Sequence, residues 1–77
     1  GEIKFIIKET FGILSESSKG AKGNKLISWN DRKPKVDIRD WAPEHEKMGK
    51  GVTLNKEELK KLKELLNGID LETMEID

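Results

Sequence analysis

Both tryptophans, both prolines, both arginines and the one histidine of this chain fall within residues 28–53, SWNDRKPKVDIRDWAPEHEKMGKGVT. Trp29 and Trp41 offer broad aromatic faces, and Arg32, Lys33, Lys35, Arg39, Lys47 and Lys50 surround them with positive charge. Bases of an unpaired nucleic acid stack on aromatic rings while cations follow the phosphates, so this mixture suits single-stranded nucleic-acid binding. The same residues also fit a plainer arrangement, with both tryptophans in a core and the lysines on a solvated surface. Composition alone does not separate the two.

Other chemistries fare worse. His45 lies between Glu44 and Glu46, but neighbours on an extended segment point apart, and a metal site or general base needs convergent groups. It reads as a loop residue within reach of a phosphate. Asp31, Asp37 and Asp40 raise the idea of a two-metal nuclease, yet Asp37 and Asp40 have opposite parity on a strand and diverge. The Lys19, Gly20, Lys22, Gly23 run lacks phosphate-loop spacing. Cysteine is absent, which removes disulfides and thiolate metal sites and fits a reducing compartment. The expectation is a binding module, not an enzyme, with no catalytic residue, no metal and no cofactor.

A chain of 77 residues reads as one domain with a thin core. Apolar residues are 34% and charged residues 39%, a balance that favours oligomerisation or a partner to add buried surface. No apolar run approaches the roughly 20 residues of a membrane span, so no membrane partner is expected. Gly1 in place of Met suggests a trimmed chain or a fragment, and no signal peptide is evident. The net charge is zero but unevenly spread: −1 over residues 1–18, +4 over 19–54 and −3 over 55–77. A basic middle between acidic ends creates a local field that attracts anions.

Hydrophobic pattern and turn residues set the scaffold around the basic middle. Residues 2–16 alternate as a strand, with Ile3, Phe5, Ile7, Phe11 and Ile13 on one parity, and Gly12 marking a bend or bulge. Residues 17–24, SSKGAKGN, read as a loop. A second strand covers about 25–31 and a turn 31–34, where Asp31 and Pro34 favour reversal. The third strand, about 35–42, sets Val36 and Ile38 on one face and Lys35, Asp37, Arg39 and Trp41 on the other. If Val36 and Ile38 face the core, Trp41 stands exposed on the polar face among cations. A charged loop at 42–51 leads to a fourth strand, about 50–54. Asn55 and Glu58 make a capping box for a helix over 56–67, with Leu59, Leu62, Leu65, Leu66 and Ile69 on one stripe, a Glu57–Lys61 pair outside it and Gly68 as its stop. Residues 69–77 form an acidic tail. The fold class is α+β: a four-stranded antiparallel sheet followed by one C-terminal helix, with one sheet face left for solvent, ligand or a second subunit.

The runs ISWND, VDIRDW and HEKMGKGVTLNKEELKKLKELL resemble the single-stranded DNA-binding domain of the transcriptional coactivator positive cofactor four, closest to the small bacterial YdbC-like branch. The match is close over about residues 25–67 and looser over the first strand. The resemblance implies a curved ββββα homodimer whose helices, through Leu59, Leu62, Leu65 and Leu66, help build the subunit contact. It further implies binding of single-stranded DNA with little sequence preference, in transcription regulation, replication or repair. Carried over by position, Trp41 and Arg39 fall on DNA-contacting positions, Lys33 and Lys35 in or beside the basic turn, and Lys47 and Lys50 in the lysine-bearing loop. Lys25, Asn30, Arg32 and Met48 lie alongside them, and Trp29 matches the bacterial branch only. Pro34 stands where glycine is usual, the 42–51 loop is shorter than the eukaryotic one, and the serine-rich regulatory segment is absent. Two rival readings are an RNA-binding module and a protein–protein interaction domain that docks through exposed tryptophans.

Overall fold

The computed structural model describes residues 3–45 and 47–77, apart from the side chain of His45. Glu2, where the first strand is expected to open, Glu46, and the expected phosphate contact of His45 lie outside the described residues. Four strands, β1 (Phe5–Ser17), β2 (Gly20–Trp29), β3 (Lys35–Trp41) and β4 (Met48–Leu54), precede one helix, α1 (Lys56–Asn67). The strands pair antiparallel in chain order, β1-β2-β3-β4. This is the α+β architecture the sequence predicts.

The loop expected over 17–24 is a correction. Only Ser18 and Lys19 turn; Gly20–Asn24 is the first half of β2, paired with β1 on one side and in part with β3 on the other. Its small residues answer to packing. Gly20 has φ +136, and a Cβ there would collide with the Trp41 carbonyl oxygen, so glycine lets the two backbones meet.

β1 departs from simple alternation. Its register with β2 shifts between Ile7 and Glu9, Thr10 and Gly12, and Ile13 and Ser15. Each shift inserts one extra residue, which bends the strand and changes the facing of the residues beyond it. The bulge at Gly12 is the expected one; the other two have no glycine to announce them. Directly opposed residues point to one face. Phe5 and Ile7, opposite Trp29 and Ile27, are therefore joined on that face by Thr10, Ile13 and Glu16, opposite Lys25, Gly23 and Ala21. Phe11 does not extend the expected single parity.

The consequence is strong curvature. Phe5 lies level with Trp29 and Trp41 with Ala21, eight residues apart along β2. In a flat sheet these levels would be roughly 26 Å apart. The Phe5 ring centroid is nonetheless 5.8 Å from both indoles, at tilts of 41° and 45°. The face bearing the three rings is concave, and Ile27 and Trp41 are the apolar residues fully buried on it.

On α1, Asn55 Oδ1 accepts from the Glu58 backbone N–H at 2.8 Å and Glu58 Oε1 from the Asn55 N–H at 2.9 Å, the expected capping box. Gly68 ends the helix with φ −84, without the left-handed turn usual at that stop, and Lys61 pairs with Glu64, not Glu57. The helix lies against β3 and β4, where Leu54 shares a shallow groove with Leu62 and Leu65. No helix residue is fully buried: Leu59 and Leu62 are half-covered, while Leu65 and Leu66 are 62% and 53% exposed.

Candidate nucleic-acid interface

The β2–β3 connection, residues 30–34, opens on a tight turn. Asn30 and Asp31 both take positive φ (50 and 62), and the Arg32 N–H donates to the Trp29 carbonyl at 2.9 Å. Two consecutive left-handed residues suit the right-handed twist of flanking strands, and Asn and Asp tolerate that conformation. The reversal thus falls earlier than the 31–34 expected. The Ser28 hydroxyl donates to the Arg32 carbonyl at 2.7 Å and pins the turn.

This turn delivers Arg32, Lys33 and Lys35 to a groove of about 360 Å³ that also holds Trp29, Arg39, Met48, Thr53 and Ile3. Six residues expected to bind nucleic acid therefore meet in one place. Arg39 is the best fixed. Its Nε donates to both carboxylate oxygens of Asp37 at 2.8 Å, its Nη1 donates to the Gly49 carbonyl at 3.1 Å, and its guanidinium lies 5.3 Å above the Trp29 ring. Asp37 is 1% exposed, so the pair is largely desolvated and each partner needs the other. Gly51 faces Arg39 across the ladder, and a Cβ there would approach the Arg39 Cβ to 2.5 Å. Among the described residues, no carboxylate pairs with Arg32, Lys33 or Lys35. Exposed and uncompensated, these three can take phosphates.

Trp41 is a second correction. It shares a face with Arg39, as its parity requires, but it is 4% exposed and does not stand in solvent. Parity decides which side an indole takes, whereas curvature decides how deep it lies. The Phe5 ring folds in from β1, the Gly20–Gly23 backbone passes close by, and Lys25 places its Nζ 5.7 Å from the indole centroid. Lys25, itself 5% exposed, also donates to Thr10 Oγ1 at 3.4 Å. Beside them lies a second groove of about 510 Å³, walled by Ile13, Ala21 and Pro43 and lined also by Glu16 and Glu44.

The remaining candidates lie elsewhere. Asn30 is held in the hairpin, its Oδ1 accepting from the Lys4 N–H at 3.1 Å. Lys47 and Lys50 are exposed and line neither groove. Two roles escaped the sequence reading: Phe5 was placed by alternation on the core parity, and Asp37, set on the polar face with Arg39, was weighed as a metal ligand or a solubility residue and not as the partner of Arg39. The Asp37-Ile38-Arg39 spacing carried a signal, since residues two apart on a strand share a face and can pair.

The sequence model of the family described as Transcriptional Coactivator p15 (PC4) matches residues 18–65, more than half of the chain. The chain belongs to this family. A protein of Treponema pallidum (strain Nichols), described as an uncharacterized protein, is similar to the PC4-family chain, 43% identical over 72 residues that cover 92% of this chain and 85% of the relative. The bacterial relative agrees with the bacterial branch that the SWND and HEKMGKG motifs resemble. The matched span includes every residue of the Trp29 groove except Ile3. Among the described residues of the PC4-family chain, no helix is long and apolar enough to cross a membrane.

Proposed function

We propose that this chain binds single-stranded DNA with little sequence preference, as a homodimer, in transcription regulation or a related step of DNA metabolism in the bacterial cytoplasm or nucleoid. One observation carries the reading: a half-buried indole, Trp29, capped by a fixed guanidinium and bordered by three unpaired cations, in a groove open to solvent. Stacking on Trp29 is indifferent to base identity because every base has a π-face, while Arg32, Lys33 and Lys35 follow the backbone. Nothing in this chemistry breaks a bond, and the chain acts as a binding module. Membership of a coactivator family supports the placement in transcription.

The homodimer rests on area. Leu65 and Leu66 are more than half exposed, and Val52 and Ile6 are 48% and 43% exposed, apolar area that a second copy would cover. Titration with oligothymidylate, run with a molar-mass measurement, tests ligand and dimer together. Tryptophan fluorescence should fall on binding, the affinity should drop with added salt, and the mass should be twice that of one chain. Absence of binding at low salt would end the reading. A matched RNA oligomer that outcompetes the DNA would reassign the ligand, because RNA alone offers the 2′-hydroxyl.

A further inference from the structure

Besides the exposed cations of the Trp29 groove, the concave face carries a buried one, Lys25, 5% exposed. Lys25 sits directly across the β2–β3 ladder from Asp37, the nearest cross-strand carboxylate. Both Asp37 oxygens are engaged by Arg39, and the Lys25 ammonium turns the other way, towards Thr10 and Trp41. Among the described residues, no carboxylate pairs with it. An ammonium has three N–H donors, and here a single 3.4 Å bond to a neutral hydroxyl uses one. A charge this buried is costly unless paired and hydrogen-bonded, and a cation–π contact offsets only part of that cost.

The space beside Lys25 is the Trp41 groove, large enough for a phosphate and part of the nucleotide carrying it. Lys25 itself is buried, so a charge-assisted bond to its ammonium is less screened than one at an exposed side chain. Glu16 and Glu44 also line the groove and select against a high density of negative charge, which favours a single phosphate group over a run of them.

We propose that Lys25, with Trp41 and Thr10, forms a phosphate subsite in the Trp41 groove, distinct from the Trp29 groove and occupied by one phosphate of the bound strand. The identity of the strand rests on the function proposed above; the phosphate subsite itself does not. The two grooves share no lining residue, but both indoles lie on the one concave face, each 5.8 Å from Phe5, so a strand running along that face passes both.

The test is Lys25→Met, which keeps an unbranched side chain and removes the charge. With no anion other than chloride present, Lys25→Met should unfold several degrees above the wild type, because a charge without a counter-ion has been removed. Inorganic phosphate should raise the wild-type midpoint and leave the variant's unchanged. Oligothymidylate affinity should fall about tenfold, and the slope of log K against log salt should shrink by about 0.7, the share of one single-strand phosphate. A variant that melts lower and binds oligothymidylate as tightly as the wild type would overturn the proposal and make Lys25 a structural cover for Trp41. Equal stabilisation of both proteins by phosphate would also overturn it. Loss of the phosphate effect with unchanged oligonucleotide affinity would remove the subsite from the strand's path and assign it to a free anion. If Lys25→Met does not fold, Lys25→Gln takes its place under the same criteria. The phosphate arm reads out even if the wild type binds no oligonucleotide, so failure of the subsite and failure of the DNA reading are distinguishable.

Discussion

Trp29 and Trp41 are the same residue type on the same concave face, each 5.8 Å from the same phenylalanine ring, and they do different work. Trp29 closes β2 next to a hairpin whose Arg32, Lys33 and Lys35 are exposed, and a guanidinium pinned by Asp37 lies over its ring. Trp41 closes β3 beside the glycine-bearing start of β2, where small residues let backbone and the Lys25 side chain come down on it. Position on a face is a local property, whereas depth depends on what the far ends of other strands bring over the ring. On the function proposed above, Trp29 is a platform for ligand, whereas Trp41 is the centre of a small core.

Alanine at each position should separate these roles. Trp41→Ala empties the core and should cost about 3–5 kcal/mol of stability, a large share of the total for a chain this small. Thermal unfolding would show it; a melting point within a few degrees of the wild type would refute a core role for Trp41. Asp37→Asn ranks next. It leaves the Arg39 guanidinium without its buried partner and should cost about 3 kcal/mol. Its effect on binding is the sharper test: removal of a negative charge beside a polyanion site should tighten binding if charge alone matters, whereas loss of the Arg39 clamp over Trp29 should weaken it several-fold. Titrations at two salt concentrations, on protein shown to be folded, decide between these.

Smaller effects belong to the open groove. Trp29→Ala should lower oligothymidylate affinity by about 1–3 kcal/mol, roughly five- to hundredfold, with much less change in melting point than Trp41→Ala. Lys33→Ala and Lys35→Ala should each reduce the salt slope by about 0.7 and weaken all sequences alike. If either lysine changes base preference and not the slope, it contacts a base edge and not a phosphate.

How far the sequence showed this varies by element. The start and span of the helix were legible, because the Asn55–Glu58 capping box and the leucine spacing are local signals, whereas the Glu57–Lys61 pair and a left-handed stop at Gly68 were not found. Also legible were the strand order and the gathering of Trp29, Arg32, Lys33, Lys35, Arg39 and Met48, since a single hairpin and a single strand parity bring most of them together. The start of β2 was not. SSKGAKGN looks like a loop, and the need for Gly20 arises only from the Trp41 carbonyl far along the chain. The burial of Trp41 and the part played by Phe5 were hidden for a related reason: both go with curvature at register shifts, three in β1, where only Gly12 left a mark in the sequence, and one between β3 and β4 at Trp41.

The division between the two indoles is tested most directly by oligothymidylate fluorescence titration of Trp29→Phe and Trp41→Phe, each retaining one tryptophan. Trp41→Phe should keep most of the quenching, and Trp29→Phe should lose most of it. Quenching that tracks Trp41 while Trp29 stays silent would contradict the division.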